Sequence, residues 1–247
     1  MSVSSFESFD GKRSVLGRVF DILECFADEP EQTISSLCAR TDLPPATVHR
    51  MLASLTEWGA IERASRGNYR LGMRLWRLGW GVPQARRMRD VARPHLVDLH
   101  GMTGEVATVC SRDGNAIIVV DVIAGKAASI QWTMPRTLPF ATSASGLVFT
   151  AFGPQIGDGA SDGRADFALR QELHEIRRQG FAVSMPDRPG DPAWVAAPIM
   201  GELGQVRSTI ALAVPSERLR PVPMGRVVAE AARAVSASLT VSVTEAL

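Results

Sequence analysis

The 247 residues allow one large or two modest domains, and a content of 45% hydrophobic and 21% charged residues is ordinary for a globular chain, which excludes a disordered or fibrous protein. A net charge of +1 excludes a globally basic nucleic-acid binder, so any DNA contact has to come from local segregation of charge. Three scattered cysteines, with Cys25 and Cys38 at apolar helix positions and Cys110 apart from them, read as buried thiols of a reducing cytoplasm. No signal peptide or bilayer-spanning run is visible, so a cytoplasmic protein with no membrane partner is expected.

Residues Met1 to Lys12 are polar and Ser-rich and read as an arm. A first helix is expected from a Ser14 cap, with Val15, Val19, Ile22 and Phe26, flanked by Leu16, Phe20 and Leu23, forming one broad apolar face. The next stretch, Thr33 to Gly72, is the most informative in the chain. Ile34, Leu37 and Cys38 mark a short helix that Asp42 and the Leu43-Pro44-Pro45 turn stop, and a second helix follows at once. Val48, Met51, Leu52, Leu55 and Trp58 recur at three and four, which turns them inward and leaves Thr47, Arg50, Ser54 and Glu57 outside. Gly59 closes that helix. Ala60 to Arg63 and Asn68 to Leu71 flank a Ser65-Arg66-Gly67 tip and read as a hairpin, which completes a winged helix-turn-helix.

The outer face carries groups that read DNA. Arg50 has the fork that pairs with guanine edges or phosphates, and Thr47 and Ser54 place short donors a turn to either side. Arg63, Arg66, Arg70, Arg74 and Arg77 run through and beyond the wing, while Asp21, Glu24, Asp28, Glu29 and Glu31 gather before the motif. The expected DNA-contacting set is Arg13, Arg18, Thr33, Pro45, Ala46, Thr47, His49, Arg50, Ser54, Arg66, Asn68 and Arg70, with double-stranded operator DNA as partner.

Met73 to Trp80 alternates Arg with Leu and Trp at helical spacing and is too apolar to stand alone. It either packs on its own domain or pairs with the same segment of another subunit. A second helical region spans Gln84 to Gly101, where Pro94 kinks the helix or starts a fresh one. Glu105 to Ser111 and Ala116 to Ile123 are strands about an Arg112-Asp113-Gly114-Asn115 hairpin, and a third strand is expected over Ser129 to Thr133. Thr142-Ser143-Ala144-Ser145-Gly146 leads into a short helix through Phe152. Gly153 to Gly163 reads as a loop and Phe167 to Gln179 as a helix closed by Gly180. Phe181 to Ser184, Trp194 to Ile199 and Val206 to Val214 are strands, and Met224 to Val243 is a last helix. The whole is an α+β chain: a winged helix-turn-helix over 1–72, a linker helix over 73–83 and a second domain over 84–247 with helices on an antiparallel sheet.

Leu43-Pro44, Thr47-Val48-His49-Arg50, Gly59 and Tyr69-Arg70-Leu71-Gly72 stand in an order that resembles the IclR family of bacterial transcriptional regulators. Arg93-Pro94-His95-Leu96, Gly104-Glu105, Pro139, Ile176-Arg177, Gly180-Phe181 and Val195-Ala196-Ala197-Pro198-Ile199 extend the resemblance over nearly the whole chain. The resemblance implies a GAF-like effector domain and an assembly, a homodimer or a dimer of dimers, that binds an operator and a small-molecule effector. Two departures matter. Where the family commonly has Lys and then Ser or Thr before Thr47, this chain has Pro45 and Ala46, so phosphate contacts fall to backbone N–H groups alone or to the neighbouring arginines. Residues resembling the family's pocket lining include Ile130, Ala144, Ser145, Trp194, Ala211 and Ala213, and the last two replace hydroxyls that can bind a carboxylate.

Ser143, Ser145, Gly146 and the first amides of their helix would then hold one carboxylate or carbonyl, between apolar walls from Ile130, Trp132, Phe140, Trp194, Ala211 and Ala213. The expected effector is an aromatic or largely apolar carboxylic acid or ester-like metabolite. The alternative is a DNA-binding dimer whose second domain only oligomerises. An enzyme is not expected: no nucleophile elbow surrounds Ser143 or Ser145, His49, His95, His100 and His174 lack metal-ligand spacing, no Rossmann or phosphate loop occurs, and no cofactor is implied.

Overall fold

The computed structural model describes residues 14–125, 137–153, 164–186 and 188–244. The expected arm, Arg13, the strand over 129–133 with Ile130 and Trp132, and the loop after Gly153 lie outside the described residues. The chain divides into two compact units, Met1–Arg86 and Arg87–Leu247.

The first unit opens with α1 (Val15–Asp28), capped by Ser14, whose hydroxyl accepts from the Gly17 N–H at 3.0 Å. A two-residue strand β1 (Glu31–Gln32) precedes α2 (Ile34–Thr41). That helix starts on a reciprocal cap, Ser36 N–H to Thr33 Oγ1 at 3.1 Å and Thr33 N–H to Ser36 Oγ at 3.0 Å, and ends on Asp42 in the left-handed region. α3 (Pro45–Glu57) begins with a proline at its first position, where no N–H is needed. β2 (Ile61–Arg63) and β3 (Tyr69–Leu71) form the wing, and β1 adds itself to β3 to give a three-stranded sheet. Ile22, Phe26, Leu37, Val48, Leu52, Ile61 and Tyr69 form one core beneath these elements. Gln32, 1% exposed, donates to the Cys25 carbonyl at 2.8 Å and accepts from Ser36 Oγ at 2.6 Å, so a buried amide knits α1 to α2.

Three expectations are corrected here. The apolar face of α1 is split: Ile22, Cys25 and Phe26 are buried and Val19 packs against them, but Val15, Leu16 and Phe20 are 62%, 70% and 60% exposed. Trp58, expected inside, is 64% exposed, since α3 ends at Glu57 and its cap residue leaves the core-facing stripe. Cys38 is half-buried rather than buried.

α4 (Met73–Gly79) follows the wing, and α5 (Pro83–Thr103) carries the chain into the second unit as one continuous helix through Pro94, which neither ends nor restarts it. The second unit is a six-stranded antiparallel sheet of order β6-β5-β4-β9-β8-β7. Its strands are β4 (Val106–Asp113), β5 (Ala116–Ile123), β6 (Thr137–Pro139), β7 (Ala182–Ser184), β8 (Ala193–Met200) and β9 (Val206–Val214). α6 (Ala144–Phe152), α7 (Arg164–Gln179) and α8 (Pro221–Thr244) complete it. Strand alternation divides the core. Val109, Val195, Ile210 and Leu212 pack with α5 and α8 on one face, while Cys110, Trp194, Ala196, Ala211 and Ala213 pack with α6 and α7 on the other. Arg93 of α5 grips the 10% exposed Asp121 carboxylate of β5 at 2.7 and 3.0 Å.

Candidate nucleic-acid interface and effector face

The outer face of α3 presents Pro45, Ala46, His49, Arg50 and Ser54 to solvent, with Thr47 half-buried at its base. No side chain caps this helix. Pro45 has no N–H, and the Thr47 N–H is spent on the Pro44 carbonyl at 2.9 Å, so Ala46 supplies the one amide of the first turn that can meet a phosphate. Of the two routes left open by the missing Lys and hydroxyl, the geometry favours the arginines.

The wing divides its residues by partner. Arg66 stands exposed at the tip with a left-handed φ of 57°, a conformation that costs about 1 kcal/mol. Asn68 Nδ2 donates to Glu31 Oε2 at 2.8 Å, and Arg70 donates to Glu62 Oε2 at 3.1 and 3.3 Å. Exposed pairs of this kind are worth under about 1 kcal/mol, so a phosphate can displace either carboxylate. Arg63 lies 6.0 Å from the Tyr69 ring centroid. Thr33, exposed, is the cap of α2, and Arg18 of α1 is half-buried.

In the second unit the first turn of α6 is densely bonded. Ser143 caps it, accepting from the Gly146 N–H at 3.2 Å, and the Ala144 N–H donates to Ser184 Oγ at 3.0 Å. The Thr209 hydroxyl donates to Ser145 Oγ at 2.8 Å. Ser145 and Thr209 are 2% and 0% exposed, and they form a buried polar cluster with Thr108 and Cys110. Burial pushes the Cys110 thiol up to about 11, against hydrogen bonds from Thr108, Ser145 and Thr209 that lower it. Gly146 admits no side chain, since a Cβ there would fall 1.7 Å from the Phe140 carbonyl oxygen.

Trp194, Ala211 and Ala213 lie together on the α6 face, with Phe140 at its margin and the Arg112 guanidinium 4.3 Å from the Phe140 ring centroid. Ser184 of β7 stands opposite Trp194 of β8, and its hydroxyl keeps a proton to donate after accepting from Ala144. Sequence reasoning missed Ser184 and Thr209, because only strand register brings them to the start of α6, and Arg112, which reaches the Phe140 ring from the end of β4. Among the described residues no group of His, Cys, Asp and Glu has the geometry to hold a metal, and no helix is long and apolar enough to cross a membrane.

Comparison with known proteins agrees with this geometry. Residues 15–65 match the IclR helix-turn-helix domain. Over 215 residues the chain is 27% identical to the HTH-type transcriptional regulator KipR of Bacillus subtilis, covering 82% of this chain and 86% of that protein. It is 28% identical over 239 residues to the regulator BhcR of Paracoccus denitrificans, covering 90% and 85%. Among solved structures it is similar to an IclR homologue of Microbacterium hydrocarbonoxydans complexed with 4-hydroxybenzoate. There the TM-score is 0.78 at 28% identity, with 92% of this chain and 100% of that one covered.

Proposed function

The chain belongs to the IclR family of transcriptional regulators, which are not enzymes, and from that premise we propose a cytoplasmic, oligomeric regulator whose second unit senses an aromatic or largely apolar carboxylate. One observation carries the effector class. The face around Trp194 offers Ala211 and Ala213 where hydroxyls would serve a small hydrophilic acid, and Phe140 and Trp194 where a ring can stack. A buried carboxylate short of hydrogen bonds costs several kcal/mol, so a diacid is disfavoured and a single carboxylate beside an apolar body fits. The ligand of the Microbacterium relative, 4-hydroxybenzoate, is of this class.

Ser143 and Ser184 each accept one backbone N–H and keep a hydroxyl proton for the polar end of the effector, with Ser145, which accepts from Thr209, buried beside them at the start of α6. The DNA-contacting set is the outer face of α3 with Arg66 at the wing tip. Asn68 and Arg70 join it once they exchange their carboxylates for phosphates. Assembly is supported by apolar side chains left in water on α1 and α4: Leu16 and Phe20, and Met73 and Trp76, which are 70% and 60% exposed. A second copy covering α4 makes a homodimer, or a dimer of dimers.

Titration with 4-hydroxybenzoate tests the effector reading. Tryptophan emission should change on binding, and Trp194→Phe should remove most of that change and weaken binding in calorimetry, while the free variant still binds DNA. If only small hydrophilic acids bind, the apolar-face reading is wrong. Trp194 at 7% exposure, packed in the core, favours a second reading in which this unit only oligomerises, and a ligand screen with no thermal shift selects it.

A further inference from the structure

Trp58 is a large indole left in water at the end of the helix that reads DNA, and it is held from outside the core. The guanidinium of Arg74, in the first turn of α4, lies 4.8 Å from the Trp58 ring centroid, and its Nη1 donates to the Trp58 carbonyl at 2.9 Å. One cation thus grips both the ring and a terminal carbonyl of α3, where a positive charge also complements the helix dipole. The backbones meet at the same place. Gly72 N–H donates to the Ala60 carbonyl at 2.8 Å, and a Cβ on Gly72 would fall 2.3 Å from the Gly59 carbonyl oxygen, so only glycine lets the two turns touch. Gly59 itself adopts a φ of 68°, the left-handed turn that sends the chain out toward the wing.

We propose that Trp58 and Arg74 are positioning residues that latch the linker helix α4 to the end of the reading helix α3, and so fix the spacing at which the reading helices of an assembled protein enter DNA. This rests on the reading of α3 as the DNA-reading helix of an oligomer. A linker free to swivel about Gly72 would let two reading helices meet half-sites at many separations. With the ring, the carbonyl and the glycine contact all closed, the direction of α4 is set by α3. Trp58 lies outside the core of its unit, so its loss acts on direction rather than on folding.

The test measures affinity of the full chain for a duplex selected by the parent from a random pool, for versions with the half-sites moved apart by a few base pairs, and for a single half-site. For the parent, an off-register insertion should weaken binding roughly tenfold or more, because it rotates one half-site away from the protein. Arg74→Ala and Trp58→Ala should each cut that penalty to about threefold or less, with no further change in the double variant and, for the uncharged Trp58→Ala, with half-site affinity unaltered. Arg74→Lys should recover part of the selectivity through the charge over the ring. A parent-like spacing profile in Arg74→Ala overturns the latch, as does an equal loss on full and single sites in Trp58→Ala. A parent that binds DNA without any spacing preference overturns the oligomeric reading beneath it and the latch with it. Should Arg74→Ala fail to fold, Trp58→Leu carries the same comparison.

Discussion

At the scale of single residues, three side chains have measurable consequences. Arg50 projects from the exposed face of α3, and its truncation should weaken specific binding by roughly 1–3 kcal/mol with no loss of thermal stability. Equal affinity of Arg50→Ala and the parent for the selected duplex would falsify the assignment of that face. Arg66 at the wing tip should contribute a backbone or minor-groove contact, so Arg66→Ala should weaken all sequences alike and reduce the salt slope by about one unit. A changed base preference with an unchanged slope would reverse its role. Cys110 concerns stability. Its thiol is raised from 9.0 to about 11, so the unfolded chain loses that proton first as pH rises. The stabilisation is complete below the unfolded value and is lost between pH 9.0 and about 11, by roughly 2–3 kcal/mol in all. Denaturant unfolding across that window should show a steeper alkaline decline for the parent than for Cys110→Ala, and parallel curves would refute the burial argument.

At the scale of elements, what the sequence reveals is what local chemistry determines. The helix-turn-helix is legible because Asp42 and the Leu43-Pro44-Pro45 turn stop its first helix and Gly59 closes its second, whereas the reciprocal Thr33 cap and the place of Pro45 as the first residue of α3 emerge only in the structure. The β4–β5 hairpin turns at Gly114, and β9 spans Val206–Val214 as its apolar run suggests. Periodicity fails where it says only that a side chain wants cover. Trp58 continues the spacing of Met51 and Leu55 yet lies past the last helical turn, and Leu16 and Phe20 continue the stripe of Ile22 into water. β1, two residues long, leaves no pattern to read, and Ser184 reaches Trp194 only through a strand pairing of distant segments. The exposed apolar face of α4 makes an element-scale prediction. Changing Leu75 and Trp76 to polar residues should shift light scattering toward smaller species before circular dichroism reports any loss of fold, and an unchanged mass would place the assembly contact elsewhere.

At the scale of the whole molecule, two compact units share one chain, a DNA-reading unit through Arg86 and a sheet domain after it, joined through the continuous helix α5. A ligand held on the sheet domain is expected to change how the first unit holds DNA, which requires a difference in effector affinity between the DNA-bound and DNA-free protein. Fluorescence anisotropy of the selected duplex, titrated with the full-length protein in the absence and presence of saturating 4-hydroxybenzoate at fixed salt, measures that difference directly. A shift in DNA affinity of roughly fivefold or more is expected, with Trp194→Phe needing more ligand to reach half of it. Identical curves with and without a ligand that calorimetry shows to be bound would contradict it.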